Sequence, residues 1–243
     1  VYGIQSQGLD GRKLKYTRIE EIASYYIDEI RKIYPEGPYY LGGYCMGGVV
    51  AFEMAQQLLN QGKRVGLLAM FETYNPQLDI SPATFFQRQF YAFQNLSFHL
   101  ENFFKLKMKD KFKFFYKKSL VELDRLKEAI VSVSTKIGSK LTRKEGQKNS
   151  INAIKKIHDQ AYYDYIPKAY SGSLTLFRPE KFFSGADDPH FGWKKLVNGG
   201  LNVVKLSVNP RGMLFEPYVK DLAAILKSCI LESRKDTTRD HMN

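Results

Sequence analysis

The sequence contains little cysteine, tryptophan or histidine and has no long apolar run. Its 243 residues include 2 Cys, 1 Trp and 4 His. Two cysteines cannot build a disulfide framework, so a reducing compartment, the cytoplasm, is expected. No window approaches the roughly 18 consecutive apolar residues that a membrane-spanning helix needs, and the first residues do not resemble a signal peptide. No metal site is predicted.

What the sequence does contain is apolar residues and positive charge. At 44% hydrophobic and 14% aromatic, the chain has enough apolar residues to bury a core, which excludes wholesale disorder. The net charge of +12 is concentrated in one region. Residues 81–160 carry 17 Lys and Arg against 7 Asp and Glu, whereas the rest of the chain carries 20 against 18. The pattern therefore indicates a nearly neutral body interrupted by a basic segment.

Outside that segment, short apolar runs alternate with helical periodicity. Helices are predicted at 17–34, 49–60 and 216–230, and strands at 39–41, 64–71, 172–177 and 201–208. The first helix is expected to begin with a capping box formed by Thr17 and Glu20. Residues 138–150 are predicted as a loop. Alternating strands and helices favour an α/β fold with a mostly parallel sheet covered on both faces.

The turn between the first predicted strand and the second helix carries a chemical motif. Gly43-Tyr44-Cys45-Met46-Gly47 has the G-x-nucleophile-x-G spacing of the α/β-hydrolase nucleophile elbow, with Cys45 at the position of the usual Ser. Such an elbow presents its nucleophile at a helix N-terminus, where the dipole and free amides favour a thiolate and an oxyanion. Small residues at 43 and 47 are expected to let strand and helix pack closely, and the Met46 amide is the expected oxyanion donor.

Four stretches together resemble one family, the type I thioesterase domains of nonribosomal peptide and polyketide synthetases. They are Pro38–Pro76, residues 163–179 (YDYIPKAYSGSLTLFRP), Gly192-Trp193 and Met213–Pro217 (MLFEP). Cyanobacterial members with cysteine in the elbow are the most similar. The resemblance implies an α/β-hydrolase fold with an inserted helical lid, and release of an acyl chain from a carrier protein.

Carried over residue by residue, the resemblance assigns two of the three catalytic positions. Cys45 matches the nucleophile, and Glu72 follows the next strand, where the family places its triad acid. The family's histidine precedes the MLFEP stretch, where this chain reads Asn209-Pro210-Arg211-Gly212, so Pro210 takes its place. His190, in a loop after the strand at 172–177, is the alternative imidazole. The other histidines have no expected role: His99, His158 and His241.

The resemblance also predicts the domain organisation. A hydrolase core is expected at 1–76 and 156–231, a lid at 77–155 and a disordered tail at 232–243. The family's first strands, and the loop that donates its second oxyanion amide, have no counterpart before Val1, which itself resembles the start of a later strand. An N-terminally truncated domain is expected.

The basic segment has several interpretations. Seven lysines and one acid lie between Lys105 and Lys118, interleaved with aromatic residues. This composition is compatible with nucleic-acid binding, a membrane-surface helix, a solvated lid face, or a lid that docks an acidic carrier protein. The lid interpretations are favoured, with no nucleic acid and no stable membrane insertion expected.

The sequence therefore predicts acyl transfer or hydrolysis through a Cys45 acyl-enzyme. No cofactor is expected to bind, because the small-molecule acyl substrate arrives on the phosphopantetheine arm of an acyl or peptidyl carrier protein. The alternative is a catalytically impaired domain that only binds the carrier or the acyl chain.

Overall fold

The structure, a computed structural model, describes residues 1–8, 14–78, 143–181 and 188–239. Within the basic segment it also describes residues 93–94, 96–98, 100–101, 103–104, 108 and 111. The helices are α1 (Ile19–Ile33), α2 (Met46–Asn60), α3 (Arg143–Asp164) and α4 (Tyr218–Arg239). The strands are β1 (Tyr39–Tyr44), β2 (Val65–Phe71), β3 (Leu174–Pro179) and β4 (Leu201–Leu206).

The four strands form one parallel sheet in the order β1-β2-β3-β4. Tyr44 at the end of β1 is level with Phe71 at the end of β2, and Phe71 is level with Phe177 of β3. Parallel strands end at a common edge, where this class of sheet places its ligands. The register therefore brings the residues that follow β1 and β2 side by side.

Apolar helices cover both faces of the sheet. On one face α1 and α2 pack over the sheet around fully buried Ile19, Phe52 and Trp193. On the other face α4 packs against Phe177 and Leu206. This arrangement confirms the predicted α/β class, and within the described part of the chain no helix has the length and apolar character needed to cross a bilayer.

Two local predictions were wrong. α1 begins at Ile19 with Arg18 as an uncapped N-cap, and the Thr17 amide donates to the Glu21 carboxylate at 3.2 Å instead of forming the predicted box. Residues 143–150, predicted as a loop, belong to α3. Five of these eight residues, two lysines, an arginine, a glutamate and a glutamine, are of types with high helix propensity, which favours a helix over a loop here.

The two chain ends also differ from expectation. Residues 1–6 lie outside the sheet rather than forming a strand, with Val1 and Tyr2 exposed. The predicted disordered tail is helical as far as Arg239. Two contacts hold the start of this segment against the sheet. The Ser233 hydroxyl donates to the Gly66 carbonyl, and the Arg234 guanidinium lies 5.5 Å from the Tyr40 ring centroid.

Candidate active site

Cys45 occupies a strained turn between β1 and α2. Its backbone has φ 52° and ψ −122°, a combination that a non-glycine residue adopts only when its surroundings impose it. The Cys45 amide donates to the Phe71 carbonyl at 3.0 Å, which extends the β1–β2 pairing, and the Cys45 carbonyl accepts from the Gly48 amide at 2.9 Å. The thiol is exposed. This is the geometry that the elbow motif predicts for a nucleophile.

Close packing at the elbow depends on glycines 43 and 48. A Cβ on Gly43 would clash with the Gly47 carbonyl, and one on Gly48 would clash with the Thr73 hydroxyl. A Cβ on Gly47 would meet no atom within 4 Å. The structure therefore explains the expected need for a small residue at position 43. At position 47 it shows no such need, and the crowded position is Gly48 instead.

The helix that follows Cys45 favours negative charge at its start. Met46 is the first residue of α2, so its amide has no acceptor within the helix. The first turn of α2 contains no acidic residue that would offset the helix dipole. Free amides at the start of this helix would stabilise a thiolate or a developing oxyanion at Cys45, and the Met46 amide as oxyanion donor remains a prediction.

Glu72 leaves the sheet beside Cys45. Its amide donates to the Phe177 carbonyl at 2.8 Å, its φ is 47°, and only 7% of the residue is exposed. Both carboxylate oxygens accept from the Arg211 amide, at 2.8 and 2.9 Å, and one also accepts from the Tyr44 hydroxyl at 3.2 Å. Glu72 therefore faces the loop in which the resemblance would place a histidine, but bonds to the backbone of that loop.

This environment shifts two ionisable groups. Burial raises the pKa of Glu72, and the donors from Arg211 and Tyr44 offset only part of that rise. Burial, followed by the nearby Glu72 charge, raises the pKa of the Tyr44 phenol, and a charge on Cys45 adds to the rise. Tyr44 thus remains a neutral hydrogen-bond donor to Glu72 and directly precedes Cys45 in the chain.

The loop after β4 is held from two sides. Asn209 is 3% exposed and donates to the Glu101 carboxylate at 3.1 Å, and Glu101 also pairs with Lys181 at 3.1 Å. On its other side, the loop is held by Glu72, whose carboxylate accepts a hydrogen bond from the Arg211 amide; the φ of Arg211 is positive, at 63°. A residue of the basic segment, Glu101, is therefore linked to the loop that borders the elbow.

His190 pairs with a different carboxylate. Its Nδ1 lies 3.4 Å from Asp188 Oδ1, and its amide donates to the same carboxylate at 2.9 Å. Within the part of the chain that the structure describes, His190 makes no hydrogen bond or ion pair with Cys45 or Glu72. His158 lies on α3, where burial lowers its pKa; His99 and His241 fall outside the described residues.

Two tyrosines, Tyr74 and Tyr162, lie close enough to Cys45 for a charge on its thiol to affect them. The Tyr74 ring stacks on Phe191 with centroids 4.0 Å apart, and the Tyr162 hydroxyl donates to the Tyr74 carbonyl at 2.9 Å. Burial raises the pKa of Tyr74 to about 12 and also raises that of Tyr162, and a charge on Cys45 adds to both rises. Both phenols therefore remain neutral beside Cys45.

Comparison with known proteins places this geometry in context. Residues 1–84 match the thioesterase domain family model. Over 97% of its length the chain is 29% identical to the dimodular nonribosomal peptide synthase of Bacillus subtilis, and over 72 residues it is 46% identical to the polyketide synthase PksR of that organism. The NocB thioesterase domain, in covalent complex with a fluorophosphonate nocardicin G analogue, superposes with a TM-score of 0.58 at 19% identity, covering 93% of this chain and 81% of that domain.

The fold is that of a thioesterase domain. The resemblance to the thioesterase domains of peptide and polyketide synthetases is thus confirmed at this level, together with the α/β-hydrolase fold. The chain spans only 9% of the dimodular synthase and 3% of the polyketide synthase. The cysteine nucleophile, the lid and the N-terminal truncation remain predictions.

The sequence did not reveal the parts of the candidate site that act through hydrogen bonds. Tyr44 was visible only as a spacer in the elbow motif, and nothing in the pattern indicated that its hydroxyl binds Glu72. Arg211 was visible in the loop lacking histidine, but its amide contact depends on the backbone. The available signal was glycine next to the motif, because Gly42 and Gly48 flank Gly43 and Gly47 in the sequence GGYCMGG.

Proposed function

We propose that this thioesterase domain releases a carrier-bound peptide, polyketide or other acyl chain through an acyl-enzyme on Cys45. The observation that carries the proposal is the Cys45 backbone, strained at the N-terminus of α2 with its thiol exposed. Strain of this kind persists where the surrounding fold imposes it, and it clusters at reactive residues.

The proposed first step is thioester exchange. The Cys45 sulfur, as thiolate, attacks the carbonyl carbon of the pantetheine thioester, and the oxygen charge that develops faces the Met46 amide. Collapse of this intermediate breaks the bond to the pantetheine sulfur, which leaves as a thiolate and takes up the proton that Cys45 released. In the second step water or an amine attacks the acyl-Cys45 carbonyl and the Cys45 thiol is regenerated.

The local chemistry favours transfer over fast hydrolysis. Cysteine depends less on a general base than serine does, because its thiol is partly ionised near neutral pH. A thioester on Cys45 also keeps the acyl group activated, so an amine can accept it directly. In the described residues no imidazole contacts Cys45, and hydrolysis, which needs a base to activate water, would be slow.

A carrier protein is the proposed partner, docking on the basic segment. Its described helical residues expose five apolar side chains at intervals of three and four, which places them on one helix face. They are Phe93, Leu96, Leu100, Phe104 and Met108. Lys111 lies 5.6 Å from the Phe103 ring centroid, so positive charge borders this face. The similarity to a nonribosomal peptide synthase that is dimodular by its name agrees with such a partner.

The test is intact-mass analysis after incubation with an acyl-pantetheine thioester. We expect one acyl adduct per chain in the wild type and in Cys229→Ala, and none in Cys45→Ala. Cys229 is the matched control because it is the second thiol, lies on α4, and has a pKa raised by burial. No adduct, or an adduct that survives Cys45→Ala, would contradict the proposal.

The second candidate is a binding module without turnover. It is favoured by two observations: Pro210 stands where the family has histidine, and the Arg211 amide donates to both oxygens of Glu72. Such a domain would bind an acyl-carrier protein with equal affinity whether residue 45 is Cys or Ala, and would show no adduct at any incubation time.

A further inference from the structure

Thr73 contacts the strand side of the turn that carries Cys45. Thr73 is fully buried, and its hydroxyl donates to the Phe71 carbonyl at 3.1 Å. The same carbonyl accepts from the Cys45 amide at 3.0 Å. A carbonyl oxygen has two lone pairs, so it can bind both donors at once. Thr73 is therefore bonded to the one carbonyl that holds the Cys45 backbone at the end of the sheet.

The rest of the Thr73 side chain packs on the helix side of the same turn. A Cβ on Gly48, in the first turn of α2, would clash with the Oγ1, Cβ and Cγ2 atoms of Thr73. The Gly48 amide in turn donates to the Cys45 carbonyl at 2.9 Å. Thr73 thus touches the partners of both the amide and the carbonyl of Cys45, the residue whose φ of 52° and ψ of −122° are strained.

Thr73 is itself held in place by buried aromatic residues. The Trp193 indole N–H donates to the Thr73 carbonyl at 2.9 Å, and the Trp193 ring lies 4.6 Å from the ring of Phe52 on α2. All three residues are fully buried. Because a buried hydroxyl needs an acceptor within the protein, the bond from Thr73 to the Phe71 carbonyl is part of the packed core. A residue fixed in this way can impose strain on its neighbour.

We propose that Thr73 is a positioning residue for the nucleophile. Its hydroxyl fixes the direction of the Phe71 carbonyl, and that carbonyl holds the Cys45 amide in the turn that presents the thiol. This inference rests on the proposed function for the identity of the nucleophile. A displacement of about 1 Å at a reacting group can cost about 100-fold in rate. Loss of the Thr73 hydroxyl should therefore lower the rate of acylation more than the affinity for the acyl donor.

The experiment compares the wild type with three substitutions of Thr73. Thr73→Val keeps the shape of threonine without its donor, and Thr73→Ser keeps the donor. Thr73→Ala removes the donor without placing a methyl group beside the Phe71 carbonyl, so it serves where valine does not fit. Thr175→Val is the matched control, because Thr175 is a buried threonine of β3 that lines a different cavity, together with Cys229.

Two measurements are made on each variant. Intact-mass time courses over a series of acyl-pantetheine thioester concentrations give the maximum rate of Cys45 acylation and the half-saturating concentration. Hydrogen exchange of the Cys45 amide, followed by NMR on cysteine-labelled protein, reports on its bond to the Phe71 carbonyl and needs no acyl transfer. The Cys229 amide, within α4, is the internal reference.

We expect Thr73→Val and Thr73→Ala to lower the maximum acylation rate about fivefold or more and to speed exchange of the Cys45 amide by a similar factor. The half-saturating concentration should change less than about twofold. Thr73→Ser should stay within about twofold of the wild type in rate and exchange, and Thr175→Val should match the wild type.

Several outcomes would overturn the proposal. They are an unchanged acylation rate in Thr73→Val and Thr73→Ala, a slower rate without faster exchange of the Cys45 amide, and an equal loss in Thr73→Ser or Thr175→Val. Failure of wild-type Cys45 to acylate would instead sink the proposed function, and exchange of the Cys45 amide would still decide the role of Thr73.

Discussion

Glu72 offers a quantitative test of the hydrogen-bond arrangement at the site. Glu72→Ala would remove the acceptor of two donors, the Arg211 amide and the Tyr44 hydroxyl. Each unsatisfied buried donor costs about 1–3 kcal/mol, so the expected loss in unfolding free energy is about 3 kcal/mol. Glu72→Gln keeps one acceptor oxygen for Arg211, and its amide can donate to the Tyr44 oxygen, so its expected loss is about 1 kcal/mol.

The pH dependence of the Glu72→Gln loss has a defined sign. Burial raises the pKa of Glu72 in the folded chain above its ordinary value of 4.5. A group with a raised folded pKa contributes its full stability below the unfolded value and loses that contribution as pH rises through the folded value. The wild type should therefore lose stability relative to Glu72→Gln as pH increases through this window, and the difference between them should shrink.

The assay is urea unfolding of the wild type, both variants and Glu29→Gln from about pH 4 to about pH 7. Glu29 is the matched control because it is a glutamate on α1 whose side chain is 39% exposed and pairs with Lys32. A Glu72→Gln penalty that grows with pH would refute the reasoning, since it would mean that the fold stabilises the Glu72 carboxylate. Equal losses of unfolding free energy in Glu72→Ala and Glu72→Gln would show that the hydrogen bonds to Arg211 and Tyr44 do not stabilise the fold.

Three further predictions concern the elbow and the missing histidine. Gly43→Ala should lower the unfolding free energy by about 3 kcal/mol in urea, because the added Cβ would meet the Gly47 backbone. Gly47→Ala should change the unfolding free energy by less than about 0.5 kcal/mol, because its Cβ meets no atom within 4 Å. Similar effects for the two variants would contradict the packing described for the elbow. Pro210→His should speed hydrolysis of acyl-Cys45 about tenfold or more in a mass-spectrometric time course, since a positioned base contributes about 100-fold or more. An unchanged hydrolysis rate would count against the interpretation that Glu72 faces a histidine position. Cys45→Ser should acylate at least about 100-fold more slowly in the same assay, because serine needs a general base; a rate near that of cysteine would reveal an unrecognised base.

The parts of the fold that depend on local pattern were predictable. The apolar run at Val65–Phe71 and the glycine-rich turn around Cys45 each determine their structure within a few residues, so β1, β2 and α2 were expected close to where they lie. Parallel order and helices on both faces follow from strands alternating with helices. The ends of helices were less predictable. The last helix extends to Arg239 instead of ending near residue 230, and the contact that holds this part of the helix joins Ser233 to Gly66, far away in the sequence.

The site itself was only half predictable. Cys45 and Glu72 could be expected near each other because both follow neighbouring strands. The bonding of Glu72 could not, because it depends on a backbone amide 139 positions away in sequence and on the direction of the Tyr44 side chain. Likewise, no local pattern indicated that His190 pairs with Asp188, or that Glu101 reaches Asn209.

The central claim is that Cys45 carries the acyl chain. The most direct measurement is peptide mapping by tandem mass spectrometry after the wild type has been incubated with an acyl-phosphopantetheine carrier protein. We expect an acyl group on the peptide that contains Cys45, which persists after the carrier is removed and is discharged by an added amine. An unmodified Cys45, with acyl groups absent or found only on Cys229, would contradict it.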